Sequence, residues 1–232
     1  VLGSTIANTL LILGISATIC PLVVHRNTVW KEIPFSLLAV VLLGIMANDA
    51  LIDGLDFSAI TRADSLTLLA FFVIFMYYTF GIALSSDESA EESGEEIQER
   101  GTWVSIGMVV LGITGLILGG QWVVDSAVSI AITLGMSESL VGFTIVAIGT
   151  SLPELVTSAV AAKKGNTDIA IGNVIGSNIF NIFWILGITG LIAPLPFQES
   201  ANLDIGVATL GTTALFLALF VGKKRVLQRW QG

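Results

Sequence analysis

With 232 residues, 54% of them hydrophobic and only 12% charged, and a mean hydropathy of +0.89, the chain lies far outside the soluble range, where about a quarter of residues are charged. A water-soluble globular domain is excluded, and the single cysteine, Cys20, excludes a disulfide framework or a thiolate metal cluster. The formal net charge of −8 describes one loop, because seven of the eighteen acids fall between Asp87 and Glu99.

In chain order, seven runs are apolar and long enough to cross a bilayer, for which about 20 residues are needed. They run from Val1 to Val24, Phe35 to Ile52, Ser65 to Leu84, Trp103 to Leu134, Ser139 to Ala162, Ile169 to Ala193 and Ile205 to Val221. Charges, Pro and Gly occupy the breaks. The fourth run is too long for an upright helix and is expected either to tilt steeply or to bend at Gly119-Gly120. Lys and Arg concentrate on cytoplasmic loops. Sorted by alternating side, Arg26, Lys31, Arg100, Lys163, Lys164, Lys223, Lys224, Arg225 and Arg229 share one side, and Arg62 alone holds the other. Residues 25–33, 85–102, 163–168 and 223–232 are therefore expected as cytoplasmic segments of a multi-pass plasma (inner) membrane protein.

The chain repeats itself. Residues 1–22, "VLGSTIANTLLILGISATICPL", match residues 174–195, "VIGSNIFNIFWILGITGLIAPL", at 12 of 22 positions with an offset of 173. Gly3/Gly176, Ser4/Ser177, Asn8/Asn181, Gly14/Gly187 and Pro21/Pro194 carry the match, since apolar coincidences are common in such sequences. The copies lie in the first and sixth spans. Five crossings separate them, so they run in opposite directions through the bilayer. Inverted-topology repeats with a binding site near the midplane are the architecture of secondary transporters.

Before the second copy lies "GFTIVAIGTSLPELVTSAVAAKK" (142–164). Glu154 stands near the centre of a span otherwise without charge, and a mid-membrane carboxylate is a functional residue by default. Thr144, Ala147, Ser151, Glu154 and Ser158 follow 3-4-3-4 spacing and share a helical face. Pro153 lacks an N–H and crowds the carbonyl of Gly149, so the helix should kink or unwind around Gly149 to Ser151. Freed carbonyls at this depth are tolerated where they line a cavity. Together with a carboxylate and hydroxyls they make an all-oxygen site for a hard cation such as Ca2+, Na+ or Mg2+.

"GFTIVAIGTSLPELVTS" and "AIGNVIGSNIFNIFWILG" resemble the second alpha-repeat of the Ca2+/cation antiporter superfamily, most closely its prokaryotic sodium/calcium exchangers. "GSTIANTLLILGISATICP" is similar to the closing part of the first alpha-repeat. The resemblance implies an all-α integral membrane transporter of ten helices in two inverted halves. Seven of these would be visible here, with the first two and the last absent. Residues 1–84 would be the remainder of the first half, 85–102 an acidic cytoplasmic loop, and 103–232 the second half, with its alpha-repeat at about 142–195. By position, Glu154 is similar to the central Ca2+-binding carboxylate. Thr150 and Ala147 would supply backbone carbonyls, Ser151 and Ser177 oxygens for flanking Na+ sites, and Ser4 and Asn8 the corresponding groups of the first repeat. The first-repeat glutamate would precede Val1. Asn181 departs from the aspartate of many sodium-coupled members, which leaves Na+ and H+ coupling both open.

The implied activity is exchange of Ca2+ for Na+ by alternating access, with H+-coupled cation antiport as the alternative. A cation channel and a non-transporting scaffold are the competing classes. No enzyme is expected, because "GTSLPE" lacks nucleophile-motif spacing and no base accompanies it. No cofactor beyond the transported Ca2+ and Na+ (or H+ or K+) and no nucleic-acid partner is implied. The partner is the lipid bilayer, and the complete protein is expected to work as a monomer. "DESAEESGEEIQER" lacks EF-hand ligand order and reads as a solvated linker. Asp49, Asp53, Asp56 and Asp125 read as capping or interfacial residues, and "KKRVLQRWQG" as a basic cytoplasmic anchor.

Overall fold

A computed structural model describes residues 1–93, 101–136, 141, 149–221 and 225–232. The described chain is helical, with helices α1 (Leu2–Ile19), α2 (Thr28–Met46), α3 (Asp49–Ile52), α4 (Arg62–Ser93), α5 (Thr102–Thr133), α6 (Leu152–Lys163), α7 (Thr167–Ile192) and α8 (Asn202–Ala218). Among the described residues, six helices are long and apolar enough to cross a membrane, by length and composition. The protein is an all-α multi-span membrane protein. Of the fifth expected span, Ser139 to Ala162, the described part is mainly α6.

Four two-residue strands tie the helix ends together. Strand β1 (Leu22–Val23) pairs antiparallel with β4 (Val226–Leu227), and β2 (Ala59–Ile60) with β3 (Leu195–Pro196). Thr167 Oγ1 donates to Val23 O at 3.0 Å, and His25 Nε2 lies 2.9 Å from Asp168 Oδ2. Residues near 25, near 167 and near 226 therefore meet at one end of the helices, while the segments near 59 and 195 meet each other. This is the grouping that the span count requires.

The inverted repeat is visible in the backbone. In α1 the turn Ala7–Ile12 is a π-helix, and in α7 so is Phe180–Leu186, placed correspondingly at the offset of 173. Both helices end at residues with nearly identical extended geometry: Cys20 at φ −145°, ψ 133°, and Ala193 at φ −144°, ψ 131°. Pro21 and Pro194 follow, which cannot continue a helix and hold the preceding residue extended. Strands β1 and β3 then begin at equivalent positions.

Two expectations are corrected, and the C-terminal segment gains local structure. The segment 25–33 is not a loop throughout: α2 starts at Thr28 with a π turn, Thr28–Glu32, and ends at Met46 rather than Ile52. Lys31 and Glu32 read as loop residues because they are charged, yet charged side chains near a helix end can reach toward water while their backbone stays helical. Pro34 then follows within the next turn. Segment 163–168 shrinks to Lys164–Asn166, since Lys163 closes α6 and Thr167 opens α7. The described part of the C-terminal segment, 225–232, folds back as β4 and the short 3-10 turn Arg229–Gln231.

Two compact units emerge from packing: Val1–Leu69 with Thr150–Gly232, and Ala70–Gly149. In the first, Ile12, Leu13, Ile33, Leu43, Ile175, Ile179, Ile182 and Phe183 are buried, and Phe35 meets Phe183 edge to face at 5.3 Å. A reciprocal amide pair joins Asn48 to Asn202, with both bonds 2.7 Å long. Asp49 Oδ2 accepts from the Ala59 N–H at 3.1 Å, so this acid tethers the chain leading to β2. Helix α4 is capped by Thr61 and Asp64 in reciprocal bonds, Thr61 N–H to Asp64 Oδ2 and Asp64 N–H to Thr61 Oγ1. In the second unit, α5 is continuous through Gly119-Gly120. At 1.5 Å per residue its 32 residues reach about 48 Å, longer than the hydrocarbon core of a bilayer.

Candidate functional site

Glu154 sits where α6 begins. Thr150 and Ser151 are in turn conformation and α6 starts at Leu152, which puts Pro153 in the first turn, where its missing N–H leaves no bond unmade. The kink or unwinding expected around Gly149 to Ser151 appears as the turn at Thr150 and Ser151, between helical Gly149 and Leu152. Ser151-Leu152-Pro153-Glu154 has the spacing of a capping box, which would tie serine and glutamate to backbone N–H groups. The box is not closed: Ser151 makes no capping bond, and Glu154 Oε2 is buried without a hydrogen-bond partner. Helix N-termini favour a negative group, so the carboxylate is stabilised there while one oxygen stays uncommitted.

The base of α6 is pinned to α7. Asn173 Nδ2 donates to Glu154 O at 3.2 Å and to Ser158 Oγ at 3.0 Å, and Ser158 Oγ donates to Ala170 O at 3.1 Å. Ser158, expected on the polar face with Glu154, is fully buried and serves this tie. Asn173→Leu is expected to destabilise the protein by about 1–3 kcal/mol, two side-chain bonds in a membrane protein, measured as a lowered Tm in detergent.

Helices α1 and α7 bring the repeat residues together. Asn8 and Asn181 each lie inside their helix's π turn, a distortion frequent at functional sites because it redirects backbone carbonyls and side chains. Ser4 donates to Val1 O at 2.7 Å and accepts from Asn181 Nδ2 at 3.4 Å. Asn8 Nδ2 donates to Asn178 Oδ1 at 3.0 Å, and Asn178 Nδ2 to Thr9 Oγ1 at 2.9 Å. Helix α6 packs against both the α1 π turn and α7.

Of the expected site residues, Glu154, Thr150, Ser151, Ser177, Asn181, Ser4 and Asn8 all belong to one compact unit. Ser151 and Asn8 are buried, Glu154, Ser177, Asn181 and Ser4 half-buried, and Thr150 exposed. Ala147 lies outside the described residues. Among the described residues no three His, Cys, Asp or Glu side chains converge, so cation ligation in this unit would combine Glu154 with hydroxyl, amide and carbonyl oxygens, a hard-donor set. Asn173, Asn178 and Thr9 escaped the sequence reading. Asn178 stands opposite Thr5 in the repeat comparison and looks there like a mismatch, although an asparagine amid an apolar span is itself a signal.

The family model described as sodium/calcium exchanger protein matches residues 1–81 and 104–232. CaxA of Alkalimonas amylolytica is 40% identical over 237 residues, covering 100% of this chain and 72% of that protein. The sodium/calcium exchanger MaX1 of Methanosarcina acetivorans is 40% identical over 134 residues, 58% of this chain and 38% of its own length. Among solved structures, the sodium-calcium exchanger NCX_Mj superposes with a TM-score of 0.77 at 32% identity, over 99% of this chain and 69% of that one. Matched inverted repeats, a family model over nearly the whole sequence and a common fold lead to one conclusion: the chain belongs to the sodium/calcium exchanger family, within the Ca2+/cation antiporter superfamily.

Proposed function

We propose that the protein exchanges Ca2+ for Na+ by alternating access, binding both ions between its inverted repeats. The observation that carries this reading is the buried, unpartnered Oε2 of Glu154 at the start of α6, in a helix packed against both α7 and the α1 turn that holds Asn8. The names of MaX1 and NCX_Mj support the choice of ions. The ligands are Glu154, backbone carbonyls of Thr150 and Ala147, and oxygens of Ser151, Ser177, Asn181, Ser4 and Asn8. The halves are residues 1–84 and 103–232, joined by the acidic loop 85–102, with the basic ends facing the cytoplasm.

Antiport follows from the empty state. An ionised carboxylate with no cation is costly to carry through a low-dielectric barrier, so the protein changes sides when ions occupy the site and resists doing so when it is vacant. Asn181 keeps the site's negative charge low, which favours H+-coupled antiport as the second reading. In proteoliposomes, Ca2+ uptake is expected to require Na+ inside and to stop when Na+ is replaced by choline. Uptake driven by a pH gradient without Na+ would instead establish H+ coupling, and flux without any counter-ion would mark a channel.

A further inference from the structure

An asparagine amide carries an oxygen at one end and an NH2 group at the other, and only the oxygen can ligate a hard cation. Whichever group holds one end therefore decides what the other end offers. Asn8 is 1% exposed and gives its Nδ2 to Asn178 Oδ1 at 3.0 Å. Its own Oδ1 is left buried with no hydrogen-bond partner, an arrangement that is unfavourable unless something electropositive completes it. Asn178, fully buried, is fixed in turn: its Nδ2 donates to Thr9 Oγ1 at 2.9 Å. Turned over, it would set its NH2 against that of Asn8.

We propose that Asn178 is a positioning residue for the cation site, turning the Asn8 amide oxygen toward the transported ion through the chain from Thr9 to Asn178 to Asn8. The other repeat has no equivalent. Thr5 occupies the position that corresponds to Asn178, and its hydroxyl goes to Val1 O at 3.1 Å. Asn181 donates to Ser4 Oγ over 3.4 Å, near the limit of a hydrogen bond. The two repeat-related asparagines are thus held unequally: Asn8 is a fixed ligand, and Asn181 is the one that can reorient as ions exchange.

The inference rests on the proposed function, and two readouts separate their failures. One is the Ca2+-induced rise in Tm in detergent, which needs no transport cycle; the other is KM and kcat for Na+-driven uptake of radiolabelled Ca2+ in proteoliposomes. Asn178→Leu is expected to raise the half-maximal Ca2+ concentration about tenfold, one ligand turned from oxygen to nitrogen, with kcat within about twofold. Thr9→Val, close in shape, is expected to raise it about two- to threefold by freeing Asn178 to turn. In an Asn8→Asp background both ends of side chain 8 are oxygens, and there Asn178→Leu should shift affinity by less than about twofold. Equal shifts in the two backgrounds, or an unchanged Ca2+ affinity in Asn178→Leu, would overturn the proposal. Should Asn178→Leu not fold, Thr9→Val decides in its place, and an unchanged affinity there rejects it. A wild type that binds Ca2+ without exchanging it for Na+ refutes the proposed function alone, while one whose Tm ignores Ca2+ refutes both.

Discussion

Glu154→Gln is expected to reduce Na+-driven Ca2+ uptake by about a hundredfold or more while leaving the protein folded. The side chain keeps its size and its place in the first turn of α6, and its backbone carbonyl still accepts from Asn173, so Tm should move little. What changes is charge: Glu154 supplies the carboxylate of the proposed ligand set, and glutamine has none. Removing one partner of a buried charge pair typically costs about 3–5 kcal/mol, and 1.4 kcal/mol is a factor of about ten. Transport at the wild-type rate by a well-folded Glu154→Gln protein would remove Glu154 from the site.

The second large effect concerns stability and lies away from the ions. Where α7 passes the start of α4, Gly190 is buried, and a Cβ there would run into Ser65 Oγ, with Ile60 and Ser65 Cβ at 3.5 Å. One turn earlier, a Cβ at Gly187 would meet Leu69 at 2.9 Å. Gly190→Val is therefore expected to destabilise by about 3 kcal/mol or more, at the upper end of overpacking penalties, and to lower both Tm and yield of monodisperse protein. Ser65→Ala removes the nearest atom and should restore about half of the loss, although it also gives up the 2.8 Å bond from Ser65 Oγ to Thr61 O. No suppression by Ser65→Ala would mean that the helices approach each other elsewhere.

Much of this was legible in the sequence, for a physical reason. Glycine, asparagine and proline at matched positions are kept by geometry, so Gly14/Gly187, Asn8/Asn181 and Pro21/Pro194 exposed the repeat where Leu and Ile could not. The extended geometry shared by Cys20 and Ala193 is what those prolines encode. Charge bias sorted the loops onto sides, and strand pairs β1·β4 and β2·β3 group them the same way. The π turns were not legible, because widening a helix from i−4 to i−5 bonds leaves no compositional mark. Nor was the start of α2, since Lys31 and Glu32 resemble loop residues in any window average. The partners of Glu154 and Asn8 escaped because Asn173 and Asn178 act across helices, and spacing along one helix does not report such contacts.

The central claim is that the transported cation sits between the two inverted repeats, and a crystal structure of the protein in Ca2+ tests it most directly. The account predicts Ca2+ bonded to Glu154 Oε2 and to oxygens from both α1 and α7, at about 2.3–2.6 Å, with Asn8 Oδ1 among those within reach. Ca2+ bound only by residues of one repeat, or only at the loop acids while Glu154 stays unliganded, would contradict it.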